Sequence, residues 1–117
     1  MPMSESVTEN AQPFHRRRVA FVLLPGFSLL AHACALEPLQ VANQLSGQLL
    51  YQTITIGLNE SPVRSGAELS LNAQHALGEP HGPLDMVLVC APAPLPYALP
   101  PRLNEWLREQ QGRKVCL

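Results

Sequence analysis

The chain has 117 residues, of which 46% are hydrophobic and 15% charged, and its formal net charge is −1. This length suits one domain or part of one, and the composition is that of a folded globular protein rather than a disordered one. A net charge so close to zero gives no overall electrostatic attraction for nucleic acid or an anionic membrane, and the basic run at residues 16–18 is expected to be a solvated flank.

Residues 1–17 are expected to form a disordered leader, because half of the segment up to Phe14 is Ser, Glu, Asn and Pro and it has little to bury. It has no apolar centre like that of a signal peptide, and no apolar stretch of the chain approaches the roughly 18 residues of a membrane span. The three cysteines are widely spaced without a CxxC pair, which indicates a reducing, cytoplasmic location.

The first predicted strand lies at residues 19–24, where a continuous apolar run is typical of a central parallel strand covered on both faces. Pro25–Gly26 ends this strand. The apolar segment that follows favours a helix, but Pro38 would remove a helical hydrogen bond and clash with the preceding turn. We therefore expect an irregular turn over residues 30–34 and a regular helix from about Glu37, with the proline in its first turn.

The rest of the chain continues the alternation of strands and helices. The patterns predict a second strand at residues 51–56, a short hairpin at 62–71, a loop at 72–83, a third buried strand at 86–90, a helix at 101–111 and the start of a fourth main strand at 114–117. This order indicates an α/β fold with a mostly parallel sheet and right-handed crossovers. Because the chain ends within the last strand, we expect a sheet that is incomplete at the C-terminus, with an edge open to another chain.

These segments together resemble a known family. The residues that carry the resemblance are Val19 to Leu30 with the Pro25-Gly26-Phe27-Ser28 turn, Leu36-Glu37-Pro38-Leu39, Pro62 to Leu71, Leu84 to Cys90, and Leu103 to Val115. They are similar to the ThiJ/PfpI-like (class I glutamine amidotransferase-like) N-terminal domain of AraC-family transcriptional regulators. The resemblance covers about residues 18–117 and implies a flavodoxin-like three-layer sandwich.

The resemblance implies a partial sensor domain at residues 18–117, with the DNA-binding domain of the family absent from this fragment. Such a domain would sense an effector or mediate dimerisation in transcriptional control. Its partners would be a small amine- or amino-acid-like metabolite and a second copy of the chain. We expect no cofactor, no metal, no membrane association and no direct DNA binding by this chain alone.

The candidate ligand-binding residues are Gly26, Phe27, Ser28 and Glu37. The first three lie at the carboxyl end of the first strand, where α/β sheets bind ligands, although simple turn chemistry is the rival interpretation. Glu37 matches the Leu-Glu pair of the regulators, and its alternative role is to place a negative charge at the helix start. The family's Gly-Gly pair after the third strand is replaced by Ala91-Pro92, and proline has no N–H to bind an anion.

No catalytic residue is assigned, and we expect a non-enzyme. In catalytic members of this fold a cysteine follows the fourth strand on a strained turn, whereas Cys116 lies within the predicted strand and no helix follows it. Cys90 is expected to pack in the core, and Cys34 lies in the first turn and could face a pocket. The histidines are too scattered for a metal site and are expected at the surface: His32, His75 and His81. The alternatives are a stand-alone ThiJ/PfpI-like cysteine hydrolase or stress protein lacking its catalytic elbow, and an isolated interaction module.

Overall fold

A computed structural model describes residues 16–59 and 61–113. The elements in chain order are β1 (Arg17–Leu23), α1 (Leu29–Ser46), β2 (Tyr51–Gly57), β3 (Val63–Arg64), β4 (Ser70–Leu71), β5 (His75–Ala76), β6 (Met86–Cys90) and α2 (Pro101–Gly112). Four strands form a parallel sheet in the order β5-β2-β1-β6, and β3 and β4 form a separate antiparallel hairpin. The predicted fourth main strand at 114–117 and most of the predicted leader lie outside the described residues.

The β1 strand is covered on both faces, as its continuous apolar run predicts. It pairs along one edge with β2 and along the other with β6. Alternate side chains enter two separate clusters, because successive residues of a strand point to opposite faces. One cluster packs against α1 and contains Val19, Phe21, Leu23 and Phe27; the other packs against α2 and contains Ala20, Val22, Leu103 and Trp106. The two helices therefore lie on opposite faces, and the molecule has three layers.

The prediction for the first helix is wrong at its start, because α1 begins at Leu29 and contains Pro38 in its interior. Ser28 caps the helix, with its side-chain oxygen accepting a hydrogen bond of 3.1 Å from the Ala31 N–H. A cap of this kind satisfies an otherwise unpaired donor of the first turn and fixes where the helix begins. Pro38 is exposed, so the Cys34 carbonyl that it leaves without a helical donor lies on the side open to water.

One short strand, β5, was not predicted, since two residues are too few to show an alternating pattern. It pairs in parallel with the end of β2. The Leu77 N–H donates to the Gly57 carbonyl at 2.7 Å, and Gln74 exchanges two hydrogen bonds with Thr55. The segment predicted as a loop thus completes one edge of the described sheet.

The end of α1 is tied to the start of β2 by a single side chain. The Asn43 amide donates to the Tyr51 carbonyl at 2.8 Å, and its oxygen accepts from the Tyr51 N–H at 2.9 Å. Both groups are half-buried, so water replaces these bonds only partly if the side chain is removed. This pair of bonds joins the end of α1 to the first residue of β2.

We predict that Asn43→Ala lowers the free energy of unfolding by about 1–3 kcal/mol, because the backbone N–H and C=O of Tyr51 both lose their partner. Urea denaturation followed by circular dichroism measures the change. The matched control is Gln44→Ala, the next residue of the same helix with an exposed side chain, which should stay within about 0.5 kcal/mol. Equal effects of the two substitutions would contradict the role given to Asn43.

Candidate functional site

The candidate site lies at the carboxyl edge of the sheet, where the chain turns from β1 into α1. Gly26 has a φ of 82°, in the left-handed region that favours glycine. Its N–H donates to the Arg64 carbonyl at 2.7 Å, and the Gly66 N–H donates to the Phe27 carbonyl at 2.9 Å. The β3–β4 hairpin therefore packs over this turn and holds it in place.

The backbone donors of this turn are already used. The Phe27 N–H donates to the Leu24 carbonyl at 3.0 Å, and the Gly26 N–H bonds to the hairpin. From the other side, the Pro92 ring approaches within 3.6 Å of the position that a β-carbon on Gly26 would occupy. The Tyr97 hydroxyl donates to the Pro25 carbonyl. These two amides are thus not available to an anion, in contrast to those of a phosphate-binding loop.

The structure places the four candidate ligand-binding residues in different environments. Phe27 is fully buried in the cluster beneath α1, Gly26 is half-buried, and Ser28 is exposed. Glu37 is exposed on α1, nine residues and therefore about 13 Å along the helix from Ser28. The expected place of Glu37 at the helix start is wrong, since α1 begins at Leu29. The ligand-binding role of these four residues stays a prediction.

A groove runs between α1 and β6, and we call it the α1–β6 groove. At the carboxyl edge of the sheet it holds a hollow of about 210 Å³ lined by Ser28, Ala31, Ala35, Leu88, Val89, Cys90 and Ala91. Toward the other edge it holds a hollow of about 440 Å³ lined by Arg17, Val19, Ala35, Leu39, Tyr51, Asp85, Met86 and Leu88. Because both hollows share Ala35 and Leu88, they adjoin. The groove has an apolar middle and polar groups at its two ends.

The prediction that His32 lies at the surface is wrong. Its side chain is only 5% exposed and packs edge-on against Phe21 and Phe27, with ring centroids 5.0 and 5.9 Å away. The spacing of apolar residues along the sequence already indicates that His32 is buried. His32 lies four and seven residues before the apolar Leu36 and Leu39, so a helix places all three on one face.

The buried histidine meets Cys90, the last residue of β6. The His32 Nδ1 atom lies 3.8 Å from the Cys90 Sγ atom. Burial lowers the pKa of His32 and raises the pKa of the Cys90 thiol, so both shifts favour the neutral pair. A catalytic cysteine needs the reverse, a thiolate stabilised by a nearby positive charge. The arrangement fits a packing role for Cys90 better than nucleophilic chemistry.

The remaining predicted groups do not assemble with this pair. Cys34 is exposed on α1 and does not line the groove, while Cys116 lies outside the described residues. Within residues 16–59 and 61–113, no three His, Cys, Asp or Glu side chains converge where they could hold a metal ion. In the same part of the chain, neither helix combines the length and apolar character needed to cross a membrane.

No protein-family model matches the chain. Among curated proteins it is 36% identical over 97 residues to the HTH-type transcriptional regulator CdhR of Pseudomonas aeruginosa, a match that takes in 83% of this chain and 28% of the regulator. Among solved structures it is similar to an AraC family transcriptional regulator from Pseudomonas putida, with a TM-score of 0.72, 28% identity, and coverage of 85% of this chain and 61% of that one.

A DJ-1 superfamily protein from Agrobacterium tumefaciens shares the fold, with a TM-score of 0.59 and 16% identity over 85% of this chain and 50% of that one. The predicted resemblance and the predicted fold class are thus confirmed. The chain spans less than a third of the length of the curated regulator that it matches.

The buried His32 predicts how stability changes with pH. Its pKa is lowered in the folded state, so the unfolded chain binds more protons as the pH falls below the unfolded value of 6.5. The contribution of this group to the free energy of unfolding is therefore fully present above pH 6.5. It is lost as the pH falls, by no more than about 1.4 kcal/mol per pH unit.

Urea denaturation at pH values from 7.5 to 5 (a range of about 2.5 units around the reference pKa) tests this expectation. His32→Gln should remove the part of the decline that comes from this imidazole, while His81→Gln serves as the control for the loss of a histidine outside the core. If His32→Gln retained the full decline, the burial of a neutral imidazole would not be its cause.

Proposed function

Because this chain is homologous to AraC-type transcriptional regulators and has the DJ-1/ThiJ fold, we propose that it is the effector-sensing domain of such a regulator, with residues 18–117 as that domain. The observation that carries the proposal is the match to CdhR over 83% of the chain. DNA recognition by a helix-turn-helix unit needs two adjacent helices. The two helices of the described residues instead lie on opposite faces of the sheet, which is consistent with a sensing rather than a DNA-binding role.

We place the effector in the α1–β6 groove. The larger hollow, at about 440 Å³, falls within the range of small-molecule sites, roughly 300–1,000 Å³. Its apolar wall contains Leu39 and Leu88, and its polar end carries Arg17 and Asp85. Such a lining suits a small metabolite with a charged head group and a short apolar part, which includes amines and amino acids.

The enzymatic alternative, a cysteine hydrolase of the same fold, has less support. Burial favours the uncharged forms of both Cys90 and His32, whereas a hydrolase of this kind works through an activated thiolate. CdhR, at 36% identity, and the Pseudomonas putida structure, at 28%, are both transcriptional regulators. A non-enzymatic role in the cytoplasm is therefore part of the proposal.

Ligand binding in the α1–β6 groove can be tested by placing a larger side chain in it. We predict that at least one compound in a panel of free amino acids and small amines raises the melting temperature of the chain, since a ligand that binds only the folded state stabilises it. Ala35→Leu, which fills the position shared by both hollows, should weaken that binding by about tenfold or more. The measurement is isothermal titration calorimetry on each variant.

The matched control is Ala33→Leu, two residues away on the same helix and exposed, which should bind as the unmodified chain does. The opposite pattern, with binding lost in Ala33→Leu and kept in Ala35→Leu, would place the effector outside the α1–β6 groove.

A further inference from the structure

A second pair of hollows lies on the other face of the sheet, between α2 and the loop at residues 78–84. One has a volume of about 460 Å³ and the other of about 530 Å³. They adjoin, because both are lined by Gly78, Trp106 and Glu109. We call the two together the α2 cleft. Since α1 and α2 cover opposite faces of the sheet, the α2 cleft is separate from the α1–β6 groove.

The loop that forms one wall of the α2 cleft is attached to the sheet and to the helix. The Arg18 guanidinium, on β1, donates hydrogen bonds of 2.6 and 2.8 Å to the carbonyls of His81 and Pro83. The His81 ring stands edge-on against Trp106 of α2, with ring centroids 5.7 Å apart. The cleft is therefore preformed, which lowers the free energy needed to order its walls when a ligand binds.

Two side chains that line the cleft are polar and more than nine-tenths buried. Trp106 is 8% exposed and Gln110 is 1% exposed. Within residues 16–59 and 61–113, no other residue forms a hydrogen bond with the Trp106 indole N–H or the Gln110 side-chain amide. In the same ranges, every fully enclosed polar side-chain atom has a partner. The polar atoms of these two side chains therefore reach the surface of the cleft.

Buried polar groups of folded proteins are nearly always hydrogen-bonded, and those that are not need an explanation. Here two such groups line one cleft, four residues and hence about one turn apart on α2. The Trp106 indole offers a donor, and the Gln110 amide offers donors beside an acceptor. A molecule that satisfies both side chains needs an acceptor and a donor next to each other.

The charged groups of the cleft lie toward its rim and face one another. The Glu109 carboxylate forms an ion pair of 3.2 Å with Arg113, and both side chains are exposed. Glu79 lies 3.7 Å from the His75 ring. The deep polar groups are thus uncharged, and an ion that left water to contact them alone would lose its solvation without a counter-charge. The inner part of a ligand is therefore expected to be neutral.

We propose that the α2 cleft is a second binding site, for an uncharged molecule with a planar C(=O)–NH edge. Pyrimidine bases and carboxamides both carry this edge. Its carbonyl accepts hydrogen bonds from the Trp106 indole and the Gln110 NH2 group, and its N–H donates to the Gln110 oxygen. The rings of Pro80 and Pro83 and the Leu84 side chain supply apolar walls. This site does not depend on the effector-sensing role, because it shares no lining residue with the α1–β6 groove.

The chain contains a single tryptophan, Trp106, so its fluorescence reports on the α2 cleft directly. The probes are uracil and isobutyramide, added to the full 117-residue chain. At least one should give a saturable change with a dissociation constant of about 1 mM or lower. A response to uracil alone assigns the site to a base, and a response to isobutyramide assigns it to a carboxamide.

The matched control compounds are 1,3-dimethyluracil and N,N-dimethylisobutyramide, in which methyl groups replace the N–H hydrogens. They should bind about tenfold more weakly or worse, because the Gln110 oxygen then receives no hydrogen bond. The proposal is overturned if neither probe gives a saturable response, or if the methylated compounds bind as well as the probes.

Substitutions locate the binding in the cleft. Gln110→Met removes the amide at similar volume and should weaken binding of the probe by about tenfold or more. Gln111→Met makes the same change at the next residue, which is exposed, and should bind as the unmodified chain does. Ala35→Leu should also leave this binding unchanged, because it alters only the α1–β6 groove. Equal binding by Gln110→Met and the unmodified chain overturns the proposal.

The melting temperature of the free chain separates a binding role of Gln110 from a structural one. If the amide serves a ligand, Gln110→Met should leave the melting temperature unchanged or raise it, because an apolar group replaces a buried amide without a partner. A fall of about 4 °C or more would show that the fold itself uses the amide, and it would contradict the proposed role.

Discussion

The β1 strand is paired on both edges and buried on both faces, and this central position determines where the other described elements lie. Its neighbours β2 and β6 occupy its hydrogen-bonding edges, and its alternating side chains fill the clusters under α1 and α2. Because a parallel strand needs a crossover to reach its neighbour, the chain must leave β1 through a turn and return through a helix. The α1–β6 groove is a consequence of where that helix lies.

The residues of the turn after β1 have structural roles. Phe27 anchors it in the core, Gly26 supplies the left-handed backbone, and Ser28 begins α1. With these groups engaged, the space left for a ligand is displaced toward β6, along the side of α1. Cys90 lines the hollow at the carboxyl edge of the sheet, and burial lowers the pKa of its neighbour His32 and raises the pKa of its own thiol, which disfavours the charged forms that nucleophilic catalysis needs. A binding domain is therefore the function that this geometry supports best.

Sequence patterns predicted what depends on long apolar runs. The strands at Arg17–Leu23, Tyr51–Gly57 and Met86–Cys90 and the helix at Pro101–Gly112 were predicted within a few residues, because burial leaves either a continuous apolar run or a regular spacing of apolar residues in each segment. The start of α1 was predicted wrongly, because Pro38 was expected to lie in the first turn of the helix, whereas Ser28 caps the helix at Leu29 and the exposed proline is tolerated in its interior. The β5 strand depends on contacts between segments distant in the chain, such as Gln74 with Thr55, and local patterns do not contain those contacts. The same is true of the contact between His32 and Cys90, whereas the burial of His32 on one face of α1 follows from its spacing to Leu36 and Leu39.

Whether this chain senses an effector can be measured through the transcription that it controls. Residues 16–117 would be joined to a DNA-binding domain from another regulator, with a reporter gene downstream of its operator. We expect that at least one amino acid or small amine changes reporter output and that Ala35→Leu abolishes the response while the protein remains folded. A folded fusion whose output ignores every compound of the panel, or responds equally in Ala35→Leu, would contradict an effector-sensing domain with its site in the α1–β6 groove.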